Sequence, residues 1–204
     1  MLKKIINLII WLWINWYEYW SKALTILGDI KISKYPFWFL YQPEEYKIKG
    51  DDIRKIISVL EPGDILCHNY NDYLVSKLIP GDYSHGAIYI GDNKLIEAVA
   101  EGVREADIID FCRCDRIKVF RPVSGQEKAL ERVKRWVGKN YDFKFQSLND
   151  SYYCWELCAE AYKELDPQKY AIQFMMKEIT CLGTKYIYDT FDSNMNFRPV
   201  LEIK

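Results

Sequence analysis

The sequence predicts one α+β domain, residues 51–204, preceded by an aromatic N-terminal appendage, residues 1–50. Three observations carry this. Two β-like runs, Ser84–Ile90 and Lys94–Val99, flank Gly91-Asp92-Asn93, residue types that tight hairpin turns use because their backbones tolerate positive φ. Two helical segments follow, Gln126–Lys139 and Cys154–Leu165, the first with Ala129, Leu130, Val133, Trp136 and Val137 on one stripe. Half of the 204 residues are hydrophobic and 28% are charged, the balance of a globular chain long enough for one domain with a real core.

Charge and cysteine usage exclude several classes. With 28 Lys and Arg against 29 Asp and Glu, bulk electrostatics do not point to nucleic acid. The six cysteines (Cys67, Cys112, Cys114, Cys154, Cys158, Cys181) include no paired spacing of the zinc-ribbon kind, and the CxC of Cys112 and Cys114 has no second pair nearby. Only two histidines are present, His68 and His85, so a histidine-rich metal centre is excluded and no cofactor or metal is expected. The even cysteine count is compatible with disulfides. A chain with this much core does not need them, and most are read as reduced and structural.

Taken in order, residues 1–20 (MLKKIINLIIWLWINWYEYW) join two lysines to a dense apolar and aromatic run. No small-residue cleavage site follows, as a signal peptide would require. Ile5–Tyr17 spans 13 residues and contains Asn7 and Asn15, against the roughly 20 that a bilayer crossing needs. Its tryptophans and tyrosines suit a membrane interface, where an aromatic ring has one wet edge and one dry face. They suit equally a helix packed on the protein's own surface or on a partner. Membrane association through residues 1–20, on an unspecified side, is the expectation taken forward. Pro36 and Pro43 break any long element in residues 21–50, to which no role is assigned.

A helix is expected from Asp51 or Asp52, either of which can cap it, with Ile53, Ile56, Ile57 and Leu60 on one face. Glu61-Pro62-Gly63-Asp64 reads as a turn and Ile65–His68 as a short buried strand. Asn71–Ile79 reads as a helix that Pro80-Gly81-Asp82 ends. After the hairpin, Gly102–Glu105 and Ile117–Arg121 are further short strands. Asp166-Pro167 stops the last strong helix, and Ile172–Ile179 is read as a helix within an otherwise aromatic tail.

Chemistry centres on Asp150–Tyr162, DSYYCWELCAEAY, where turn-like residues give way to helix at Cys154. Unpaired N–H groups and the helix dipole at a first turn stabilise a thiolate and supply donors to an oxyanion. Taken alone, Cys154 could as well be a buried small hydrophobe, so the question is whether a base exists. His85 opens a strand after a Pro-Gly-Asp turn, where its ring can project at the sheet edge. Glu97 lies in the apolar LIEAVA strand, where a carboxylate must find a partner or face solvent. With the turn near Asp92, position 85 opposes about 98 or 99, so Glu97 lands close to His85 across the ladder, unless a register slip or bulge turns it away. Cysteine, histidine and carboxylate then make a nucleophile, a base and an orienting group. His68 beside Cys67 is a rival pair, disfavoured because adjacent strand residues point to opposite faces.

The ordered segments GDIL (Gly63–Leu66), YSHGAIYIG (Tyr83–Gly91), LIEA (Leu95–Ala98), GKNYDFKF (Gly138–Phe145) and YYCWEL (Tyr152–Leu157) resemble the circularly permuted branch of the NlpC-type papain-like superfamily, most closely its YiiX-like enzymes. The resemblance covers about residues 60–165. It implies a papain-like α+β core in which an antiparallel sheet carrying the histidine and third polar residue packs against the helix bearing the cysteine. It implies Cys154 as nucleophile, His85 as general base and Glu97 as the residue that orients His85, with the Cys154 backbone N–H in the oxyanion hole. Tyr141 and Asp142 match the family's YD element. Trp155 departs from the pattern, which has a small residue there, and bears on pocket shape. Tyr141, Tyr153 and Trp155 are the candidate substrate contacts. Cys158, one turn on, reads as core, and Glu156 as solvent-facing or a cap.

The function expected is a cysteine hydrolase, an amidase, peptidase or lipid acyl hydrolase with acyl transfer as a variant. Its substrate would be a cell-wall peptide or a lipid-like amide or ester. The rival is a catalytically idle member of the same fold that binds lipid or a protein partner.

Overall fold

The computed structural model describes residues 30–32, 39–41, 46–71, 82–143, 150–165, 172–174, 177–179 and 191–204. The expectations for residues 1–20, for the helix Asn71–Ile79 beyond its first residue, and for Cys181 lie outside these residues. Strands β1 (Ile30–Ile32) and β2 (Phe39–Tyr41) pair antiparallel. Helix α1 (Gly50–Val59) leads into β3 (Ile65–Asn69), β4 (His85–Gly91), β5 (Lys94–Val99) and β6 (Gly102–Asp107). The short helix α2 (Ile108–Phe111) precedes β7 (Arg116–Pro122) and helix α3 (Gln126–Trp136). Then come β8 (Asn140–Tyr141), β9 (Ser151–Tyr152), helix α4 (Cys154–Ala161), β10 (Ile172–Phe174), β11 (Lys177–Ile179) and β12 (Phe197–Ile203). Among the described residues no helix is long and apolar enough to cross a membrane.

Six of these strands form one antiparallel sheet in the order β12-β7-β3-β4-β5-β6. The β4–β5 hairpin turns on Asp92 and Asn93, whose φ values of 52° and 59° are the paired positive angles of a type I′ turn. Gly91 before them also has positive φ and sits at a register shift. Alternation along the strands divides the apolar residues between two faces. Ile65, Cys67, Ile88, Ile96, Ala98 and Phe120 face one side and pack with α3 and α4. Leu66, Ala87, Tyr89, Leu95, Ile117 and Val119 face the other and pack with Ile56, Phe111, Cys112 and Cys114. A sheet covered on both faces needs apolar residues at consecutive positions, which is why these strands read as continuous hydrophobic runs.

The GDIL turn is tied down electrostatically. Asp64, 1% exposed, accepts from Arg121 through both carboxylate oxygens at 2.9 and 2.8 Å, while Arg121 also donates to Glu61 and to the Val59 carbonyl. The Tyr162 hydroxyl donates to the Gly63 carbonyl, and Arg132 of α3 donates to the Ala161 carbonyl at 2.8 Å, one of the orphan carbonyls at the end of α4.

Several boundaries differ from expectation. Lys49 is the N-cap residue of α1, and Asp52 accepts its backbone N–H at 3.1 Å, so Asp52 caps from inside the first turn. Ile48 is buried and donates its N–H to the Cys114 carbonyl, and Lys47 donates to Asp115, so the packed unit begins a few residues before position 51. Ile172–Phe174 and Lys177–Ile179 are strands where a helix was expected: β10 and β11 pair antiparallel with Ile172 opposite Ile179. The apolar run there was too short for periodicity to separate strand from helix. Helix α4 ends at Ala161, short of the expected Leu165, and a 3₁₀ turn, Lys163–Leu165, follows.

Gly86 is where α4 meets β4. A Cβ there would lie 3.2 and 3.3 Å from Trp155 ring carbons and 3.4 Å from Cys158 Sγ, so the indole would have to give by a few tenths of an ångström in a packed core. In an open strand, glycine to valine is favourable. Here the overpacking reverses the sign, and Gly86→Val is expected to cost about 2 kcal/mol. A urea midpoint at or above wild type for this variant would contradict the packing described.

Candidate active site

The site lies where the first residue of β4 meets the first residue of α4. Cys158 Sγ sits over Gly86, so Cys154, one turn earlier, overhangs the rim of the sheet where His85 begins. Tyr153 is the N-cap of α4 with extended backbone, and its side chain caps nothing. The N–H groups of the first turn therefore face the region of the thiol with the positive end of the helix dipole. Cys154 is 5% exposed.

His85 and Glu97 meet as the hairpin register requires. Ala87 opposes Glu97, which puts residue 85 diagonally across from it on the same face. His85 Nε2 and Glu97 Oε2 are 2.9 Å apart. With Nε2 engaged, Nδ1 is the ring nitrogen left for the thiol. Burial pushes the imidazole's pKa down, but hydrogen bonds to Cys154 and Glu97, with the charges on both, outweigh it and raise it to about 10. Burial pushes Glu97 up, and hydrogen bonds and charge from His85 and Arg104 hold it down at about 2. Cys154, His85 and Glu97 are thus brought together.

Two further groups stand beside these: Arg104, which the sequence left unassigned, and His68, weighed there only as half of a disfavoured pair with Cys67. Arg104 of β6 is the register partner of Glu97 and donates to Oε1 from Nε at 3.0 Å, with Nη2 at 2.9 Å. The signal was legible: a tight turn at Ala100-Glu101 pairs 97 with 104. His68 opposes His85 on β3, with ring centroids 5.0 Å apart. Burial and the neighbouring His85 charge lower its pKa to about 3, so it is neutral. Its Nδ1 lies 3.0 Å from the Phe111 carbonyl and must carry the proton to donate there. His68 is therefore a wall behind His85. It does not pair with Cys67, which packs in the cluster on the opposite face with Cys154 and Cys158.

The candidate substrate contacts divide. Tyr141 is partly exposed, its ring centroid 4.8 Å from that of Phe143. Burial pushes its hydroxyl pKa up, and the charges on Cys154 and Asp142 add to this. Tyr153 and Trp155 have no exposed surface and belong to the core. Residue 155, one step after Cys154 on the helix, turns toward the sheet, where its indole covers Gly86 and approaches Phe191. Their side chains are core and not an open pocket wall. Glu156, expected to face solvent or cap the helix start, is 3% exposed, and Asp142 is buried with its N–H on the Tyr152 carbonyl. Cys158 is in the core, as expected.

The sequence profile of the permuted papain-like amidase family YaeF/YiiX (C92) matches residues 59–195. In structure the chain is similar to the metalloprotein yiiX from Escherichia coli O157:H7, with a TM-score of 0.54 and 20% identity over 70% of this chain and 97% of that one. At this identity the likeness shows the fold. That protein is described as a metalloprotein; among the described residues here, no group of three His, Cys, Asp or Glu side chains is arranged to hold a metal ion. Comparison with curated proteins gave no match.

The two shifted groups set a pH window for stability. His85, raised from 6.5 to about 10, contributes stability that is complete below pH 6.5 and lost as pH rises through 10. Glu97, depressed from 4.5 to about 2, contributes stability that is complete above pH 4.5 and lost as pH falls through 2. The urea-midpoint difference between wild type and Glu97→Gln is expected to be widest between pH 4.5 and 6.5 and to narrow toward pH 10. A difference that stays constant from neutral to alkaline pH would contradict the ion pair.

Proposed function

The chain belongs to the permuted papain-like amidase family, and on that footing we propose that it is a cysteine hydrolase acting through Cys154, His85 and Glu97. The observation that carries the reading is the 2.9 Å contact between His85 and Glu97, with the Cys154 thiol at the start of α4 near enough to help raise the same imidazole's pKa. The substrate is an amide or ester from a cell-wall peptide or a lipid-like molecule, and the interface-like residues 1–20 favour one close to a membrane surface.

His85 accepts the thiol proton, and the Cys154 sulfur adds to the carbonyl carbon. The carbonyl oxygen becomes an oxyanion, held by the Cys154 backbone N–H at the helix start. As the intermediate collapses, the bond to the leaving amine or alcohol breaks, and His85 returns its proton to that leaving group. A thioester remains on Cys154. Water, deprotonated by His85, attacks the thioester, releases the carboxylic acid and restores the thiol. Glu97 keeps the imidazole oriented and stabilises its charged form throughout, without itself taking the proton.

Cys154→Ala is expected to abolish hydrolysis of any amide or ester substrate found by screening, and His85→Ala to lower kcat/KM by about 10²–10⁴-fold. A hydroxylamine-labile mass adduct on the Cys154 peptide is expected in rapidly quenched turnover. Undiminished hydrolysis by Cys154→Ala, on every substrate that wild type turns over, would remove the nucleophile from the mechanism.

A further inference from the structure

We propose that Arg104 is a positioning residue of this site, fixing one oxygen of Glu97 so that the other is presented to His85. The inference rests on the reading of Cys154, His85 and Glu97 as the catalytic groups. Its basis is the division of the carboxylate. Arg104 Nε and Nη2 both go to Oε1, at 3.0 and 2.9 Å, and His85 Nε2 goes to Oε2 at 2.9 Å. A pair serving stability alone gains most from the fork arrangement, with one guanidinium nitrogen on each carboxylate oxygen. Arg121 makes that arrangement with Asp64 in the same molecule. Arg104 instead leaves Oε2 wholly to the imidazole.

Exposure points the same way. The Glu97 side chain is 7% exposed and that of Arg104 54%, so the guanidinium covers the carboxylate from the solvent side. A guanidinium this exposed adds little to folding through the pair. Holding a buried carboxylate in one rotamer matters more to the imidazole it orients. The groups that bear on this chain are His85 from β4, neutral His68 from β3 behind it, Arg104 from β6 and Cys154 from α4. Arg104 touches neither the thiol nor His85 in any contact described, and it acts through Glu97.

The test uses iodoacetamide as probe and reads alkylation of the Cys154 peptide by mass spectrometry against pH. Wild type, Arg104→Gln, Arg104→Lys, Glu97→Gln and the Arg104→Gln/Glu97→Gln double variant are compared, with circular dichroism confirming that each is folded. The expected result for Arg104→Gln is a rate at pH 6 lowered about tenfold and an acid limb displaced upward by about one pH unit. Arg104→Lys is expected to recover part of the rate, and adding Arg104→Gln to Glu97→Gln is expected to change nothing further. A wild-type profile for Arg104→Gln, or additive effects in the double variant, would overturn the proposal while leaving the catalytic reading intact. If wild-type Cys154 itself alkylates as an ordinary thiol, the catalytic reading fails and this one with it. Should Arg104→Gln not fold, Arg104→Lys decides: it keeps the charge and loses the two-nitrogen contact, so an unchanged profile counts against positioning.

Discussion

Helix α4 lies close on strand β4 at position 86, where a side chain would force its neighbours to give way. Everything at the site follows from that approach. With the Trp155 indole and the Cys158 sulfur resting on the Gly86 backbone, the start of the helix is held at the start of the strand. The thiol and the imidazole come within reach although they belong to separate elements. Packing holds this contact from several sides: Phe191 approaches the far side of Trp155, Tyr162 is bonded to the GDIL turn, and Arg132 grips the last turn of the helix. The apolar core thus sets the geometry, and the polar groups inherit it.

The charges are laid out as an alternating row across neighbouring elements. Cationic Arg104 on β6, anionic Glu97 on β5 and the imidazole of His85 on β4 stand on consecutive strands, with the Cys154 thiol on α4 next in line. Glu97 and His85 are each flanked by groups that favour their charged states, which offsets a desolvation cost that neither could bear alone. His68 marks the contrast. It is just as buried, but its closest charged neighbour has the wrong sign, and it stays neutral on a backbone carbonyl. Two histidines opposite one another on adjacent strands thus hold different protonation states because of what lies on their outer sides.

Much of this was legible in the residues because it is local. A turn of Gly91-Asp92-Asn93 sets a register, and a register sets which side chains meet, so the His85–Glu97 contact followed from about a dozen residues. The same reasoning carried through the next turn would have reached Arg104. What could not be read was non-local. The sequence places Trp155 beside Cys154 along the chain, but which way it points depends on the sheet beneath the helix. It therefore read as pocket wall and is core. The pairing of His68 with His85 crosses a long connection, and no turn chemistry announces it. The short apolar run at Ile172–Ile179 carried no periodicity decisive enough to separate strand from helix.

The order of elements along the chain also sets an order of assembly. Strands β3 through β6 are neighbours in the sheet, with the β4–β5–β6 portion joined by tight turns, so His85 and Glu97 belong to a unit of local contacts. Cys154 lies more than fifty residues downstream of Glu97, and β12, which closes the sheet beside β7, is later still. During synthesis from the N-terminus, the His85–Glu97 half of the site can form before the ribosome has released the cysteine. The Cys154 thiol meets the imidazole only when α4 docks, in the same packing step that buries Trp155.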